Sequence, residues 1–138
     1  MMKRLVALFA LMLLSGCAGM VAPPEARPVS DNSAVVALSE AARTDAAGGK
    51  LDAAVASLER ALRIEPRNPA LWQNLARLRL EQGQYQQAEG LAARSNGWAG
   101  DDEALRAENW RIIGQARLKR GDYAGAQTAF DKAAELAK

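Results

Sequence analysis

Cys17 is the one thiol in this chain, and histidine is missing altogether. Thiol catalysis needs a base beside the sulfur, and the usual imidazole is not encoded. Metal binding fares no better, because a lone cysteine and scattered carboxylates give no cluster with ligand spacing. Asp101 and Asp102 could share a proton as a paired acid, yet they stand where negative charge suits the start of a helix. No serine lies near a lysine in a patterned context. The chain is therefore expected not to be an enzyme and to need no cofactor or metal.

What surrounds Cys17 points to a covalent modification instead. Met1 to Arg4 is short and basic, Leu5 to Leu14 is an unbroken apolar run, and Ser15 and Gly16 precede the cysteine. At about 1.5 Å per residue the run reaches about half of a hydrocarbon core of roughly 30 Å, so it reads as an export signal rather than a permanent span. The order Leu14, Ser15, Gly16, Cys17 resembles the lipobox of bacterial lipoproteins. That resemblance implies a signal peptide over residues 1–16, with diacylglycerol and an N-acyl chain on Cys17. Ala18 rather than aspartate after the cysteine implies the outer membrane, on its periplasmic side, with inner-membrane retention the other possibility. Several acyl chains, each contributing about 0.8 kcal/mol per buried methylene, hold a protein firmly where one would be marginal.

Residues 17–33 then carry Pro23, Pro24 and Pro28 without helical periodicity. They read as a flexible tether, and at about 3.1 Å per residue its length from Ala18 reaches about 50 Å. Asp31, Asn32 or Ser33 is expected to cap the first helix. Removing Lys3 and Arg4 with the signal leaves 16 basic residues of the original 18 against 16 acidic ones. That balance argues against a nucleic-acid partner. With Cys17 acylated, no thiol is left for a disulfide.

The remaining sequence repeats itself. Gly49, Gly83 and Gly121 recur with a period of about 34 residues, stretched by four positions before the third. Each is followed five positions later by alanine, at Ala54, Ala88 and Ala126. Such a period marks stacked helical units whose apolar faces are buried only against neighbours. Leu38, Trp72 and Trp110 fall at one position of the unit, and Ala42, Ala76 and Gly114 at another. Small residues there let two helices approach closely, while glycine ends each first helix.

With Pro66, Tyr85, Tyr123 and Phe130 at further fixed positions, the pattern resembles the tetratricopeptide repeat family. The resemblance implies an all-α, right-handed solenoid of three helical hairpins, about six helices, over residues 34–138. The repeats are placed at about 35–68, 69–102 and 107–138. The second helix of the second unit is the least regular, with Ala92, Ser95 and Gly100 where Phe, Ala and Pro are usual. A stop at Gly97 is expected, followed by a fresh start capped by Asp101 or Asp102 and about one extra helical turn in the third unit.

Members of this family bind proteins, and their first helices line a concave groove. By position, the groove residues here would be Arg43, Gln73, Asn74, Arg77, Leu80, Arg111, Gln115 and Leu118. The arginines form either a basic row facing a ligand or local pairs with Glu40, Glu81 and Glu108. The resemblance implies a lipid-anchored adaptor that holds a protein or peptide of the cell envelope. A structural or assembly subunit of an outer-membrane, pilus or secretion machine is the other reading. The last helix carries Tyr123, Ala126, Ala129, Phe130, Ala133, Leu136 and Ala137, more apolar surface than one hairpin partner is expected to cover. A homodimer or a partner segment would cover the rest.

Overall fold

A computed structural model describes residues 28–138 of the chain. The export segment, Cys17 and most of the tether lie outside the described residues. Six helices follow in order: α1 (Ser33–Ala47), α2 (Leu51–Ile64), α3 (Pro69–Glu81), α4 (Tyr85–Trp98), α5 (Glu103–Lys119) and α6 (Tyr123–Leu136). They pair as the hairpins α1–α2, α3–α4 and α5–α6, which join through α2 against α3 and α4 against α5, with α3 also touching α5.

Each hairpin turns in the same way. Gly49, Gly83 and Gly121 adopt φ of 76°, 76° and 83° respectively. A side chain would strain the backbone in that region. In the first turn the Gly49 N–H donates to Ala46 O and the Lys50 N–H to Asp45 O. The same pair of bonds recurs from Gly83 and Gln84 and from Gly121 and Asp122, so the last carbonyls of α1, α3 and α5 are satisfied without side chains. On the opposite edge side chains act as caps. Asn32 Oδ1 accepts from the N–H groups of Ala34 and Val35, Asn68 Oδ1 from those of Ala70 and Leu71, and Asp102 from Leu105.

Small residues set the spacing within a hairpin. At Gly114 an added Cβ would lie 2.6 Å from the Phe130 ring, so α5 and α6 touch there backbone against ring. Trp72 and Trp110 are half-buried and carry cations over their rings, Arg94 at 4.7 Å and Lys132 at 4.3 Å. Such cations are attracted to the electron-rich ring face.

One expectation changes. α4 does not stop at Gly97 but runs to Trp98, and it has 14 residues, as α2 and α6 do. The chain turns instead at Gly100, where φ is 53°. Irregular sequence does not shorten α4, because Ala92 and Ser95 are both fully buried and Ser95 is hydrogen-bonded where the usual residue would be apolar. The apolar face of α6 is covered only in part, as its sequence suggests. Ala126, Ala129 and Ala133 are buried, Phe130 and Leu136 are half-buried, and of the larger side chains Tyr123 alone is mostly exposed. α5 does carry the extra turn, with 17 residues.

Candidate functional site

A cavity of about 590 Å³ opens between α1 and α3. Val36, Ala42, Ala46, Leu58 and Leu78 give it an apolar floor, while Ser39, Glu40, Arg43, Asn74, Arg77 and Glu81 supply polar atoms around it. The periodicity of the two helices accounts for this lining. Residues 36, 39, 40 and 43 of α1 fall on one stripe, and residues 74, 77, 78 and 81 of α3 on the facing one. Pro28 and Val29 also line it.

Those two residues are held in place from several sides. Val29 packs against the first apolar core, which is built from Val35, Leu58, Leu62, Leu71, Leu75 and their neighbours. Its carbonyl accepts a 2.8 Å bond from Asn68 Nδ2, which also donates to Glu65. Ser30 Oγ donates to the other oxygen of Glu65 and accepts from the Asn32 N–H. The bonds from Ser30 and Asn68 stabilise the ionised carboxylate and hold the pKa of Glu65 below its ordinary range.

Of the eight residues expected in the groove, Arg43, Asn74 and Arg77 are brought together around this cavity. Gln73 is not a groove residue. It is turned inward, 9% exposed, and its Nε2 donates to Asn109 Oδ1 at 2.9 Å and to Leu105 O at 3.1 Å. Asn109 is fully buried and donates in turn to Ser95 Oγ and Asn96 Oδ1, while Ser95 Oγ donates to Pro69 O. This network fills the junction of α3, α4 and α5, so the amide of Gln73 is committed there. Leu80 is also turned inward, half-buried against the second core of Ala76, Ala92, Ile112, Ile113 and Ala129. Arg111, Gln115 and Leu118 lie on α5, outside the cavity.

The arginines are not a free basic row. Arg43 pairs with Glu40, and Glu108 bridges Arg77 and Arg111 with both distances at 3.0 Å. Local pairing therefore holds for Arg43 with Glu40 and for Arg111 with Glu108, whereas Arg77 pairs across to α5 and Glu81, also on the cavity, enters no ion pair among the described residues. Sequence reasoning missed the lining contributed by Pro28 and Val29, because no periodicity marks a segment outside the repeats. Among the described residues no group of His, Cys, Asp and Glu could hold a metal ion, and no helix is long and apolar enough to cross a membrane.

Comparison with known proteins fits this geometry. Residues 45–107 match the tetratricopeptide repeat family. The solved globular C-terminal domain of LpoP from P. aeruginosa is 44% identical, with a TM-score of 0.73, and the match covers 75% of this chain and 98% of that one. The chain belongs to the tetratricopeptide repeat family. The N-terminal domain of stress-induced protein-1 from C. elegans, 15% identical, shares the fold with a TM-score of 0.70 over 76% of this chain and 87% of its own. No curated protein matches the sequence. A tetratricopeptide array is a protein-interaction fold, and its members present surfaces to partners rather than reactive groups.

Proposed function

We propose that this chain is an adaptor of the bacterial cell envelope, held on the periplasmic side of the outer membrane by lipid on Cys17. It holds a segment of an envelope protein in the cavity between its first two hairpins. The observation that carries this reading is the likeness to the globular C-terminal domain of LpoP over nearly all of that domain. The apolar, partner-sized cavity on the face made by first helices supports it. In LpoP the matching domain is C-terminal, and here too the array follows a stretch with the marks of an export signal. A site of aliphatic side chains, an amide and carboxylate and guanidinium groups suits binding. On α6, Ala126, Ala129 and Ala133 are buried while Ala124, Ala134 and Tyr123 are exposed, so self-association through this helix stays part of the proposal.

Two experiments test the reading. Affinity capture from envelope extract with the mature protein should recover a specific partner, and Ala46→Glu on the cavity floor should reduce the recovery. Replacing Cys17 with serine should abolish acyl labelling and release the protein from the membrane fraction after a high-salt wash. Equal membrane recovery of both forms, with no acyl label in either, would overturn the anchor.

A further inference from the structure

Each second helix ends in the same pair of residue types. The last residue is large and apolar, Ile64 on α2, Trp98 on α4 and Leu136 on α6, and one turn before it stands a cation, Arg60, Arg94 or Lys132. The spacing puts each pair on one stripe. Ile64 and Trp98 are 45% and 47% exposed, whereas Leu136 is half-buried. At the end of α4 the pair is built into a cluster. Arg94 lies over the Trp72 ring, whose Nε1 donates to Pro66 O at 2.8 Å, and the next residue, Arg67, lies 5.4 Å from the centre of the Trp98 ring. Stacking holds a guanidinium by its face and leaves its in-plane N–H groups free to meet an oxyanion. Among the described residues Arg60, Arg63, Arg67 and Arg94 enter no ion pair.

Carboxylates stand near them as well. Glu65 and Asp102 line a cavity with Arg67, and Asp101 is exposed. Glu65 is held by Ser30 and Asn68, and Asp102 caps α5. The strip therefore has little excess charge with which to attract a distant anion, and its chemistry is that of contact. Tryptophan and arginine together suit the boundary of a bilayer, with the ring at headgroup level and the guanidinium on phosphate. Position agrees. Pro28 lines the same cavity as Arg67 and stands eleven positions after Cys17, at most about 40 Å of chain. We infer that Ile64 and Trp98, with Arg67 and Arg94, rest on the phospholipid surface that holds the anchor. The exposed stripes of α2 and α4 point away from the helices they pack on, so docking by this face turns the cavity between α1 and α3 away from the bilayer. The inference rests on the lipid anchor proposed above and goes beyond it, from attachment to orientation.

The test uses the full acylated chain reconstituted in vesicles of phosphatidylcholine brominated on its acyl chains, since bromine quenches a tryptophan that touches it. Emission should drop by up to about a third relative to unbrominated vesicles, because one tryptophan of three meets lipid. Trp98→Phe should remove the drop and Trp110→Phe should leave it. Joint replacement Arg67→Gln and Arg94→Gln should reduce it about twofold, and replacing about a third of the lipid by phosphatidylglycerol should raise it less than about twofold. Circular dichroism verifies that the variants keep their helices. A drop that survives Trp98→Phe overturns the inference, as does a drop seen only with phosphatidylglycerol. No drop in a chain that carries its acyl label and floats with the vesicles also overturns it and leaves the anchor standing. If that chain instead loses capture of an envelope protein on the double arginine replacement, the strip belongs to a protein partner. A chain that neither floats nor carries the label defeats the anchor reading itself, and the docking with it.

Discussion

The junction between the first and second hairpins and the junction between the second and third are built from different materials. At the first, large aliphatic side chains meet: Leu58, Leu62, Leu71, Leu75 and Leu78 with Val35 and Val55. At the second, Ala76, Ala92 and Ala129 surround Ile112 and Ile113, and a buried chain of amides from Gln73 through Asn109 to Ser95 completes the contact. Each has an ion pair near the turn edge, Glu59 with Arg79 and Glu89 with Arg117. The first junction keeps an open cavity beside its core. The second is held by directional hydrogen bonds, which demand close approach from every partner, and a cavity lined by Pro69, Ala70, Asp102 and Leu105 opens at its edge. One repeat fold thus yields an aliphatic joint and a polar one, and the difference draws both on a signature position, Ser95, and on residues outside the signature, Gln73 and Asn109.

The largest effect is expected from Leu71→Ala. Leu71 is fully buried in the aliphatic junction. Its truncation should cost about 3 kcal/mol in urea unfolding. Amide exchange should quicken first in α1 and α2 and least in α6. Uniform loss of protection along the whole chain would show that the two junctions are one cooperative unit.

Asn109→Ala removes the centre of the polar junction and leaves Gln73 and Ser95 short of partners. The expected cost is about 2 kcal/mol. A cost within about 0.5 kcal/mol, as for an ordinary surface change, would mean that the network does not hold the second junction. Double replacement with Leu71→Ala should be close to additive if the junctions are independent.

A smaller effect, about 1 kcal/mol, is expected from Asn68→Ser. Serine can still cap α3, so the change isolates the amide bonds to Val29 and Glu65. Its sharper signature is pH. Because the folded pKa of Glu65 lies below the ordinary 4.5, its carboxylate contributes stability above that value and loses it as pH falls through the lowered one. The gap between wild type and Glu65→Gln in urea midpoint should therefore be present at neutral pH and close in acid. A gap that persists unchanged in acid would assign the effect to packing.

Much of the architecture is legible in the sequence, and the reason is geometric. Positive φ at Gly49, Gly83 and Gly121 and the close approach at Gly114 are demands that few residues meet, so they leave a mark at fixed spacing. Caps are legible for the same reason, with Asn32 and Asp102 chosen from the candidates that flank them. The site is harder to read. Position in the repeat says which way a residue tends to face, and it places Arg43, Asn74 and Arg77 on the cavity. It does not say that Gln73 finds a better partner inward, because that partner, Asn109, sits 36 residues away. Nor does it reveal that Glu108 serves two arginines at once, which depends on how α3 and α5 are set side by side.

The helices α1, α3 and α5 all start on the edge where the chain enters at Pro28, and all three glycine turns lie on the edge opposite. The longest of them, α5, has 17 residues. At about 1.5 Å of rise per residue, the two edges stand about 25 Å apart. The turns of Gly49, Gly83 and Gly121, with exposed Leu118 and Tyr123 beside the last of them, therefore lie about one helix length from the edge where Pro28 and Val29 sit, so a partner seated at one edge leaves the other uncovered.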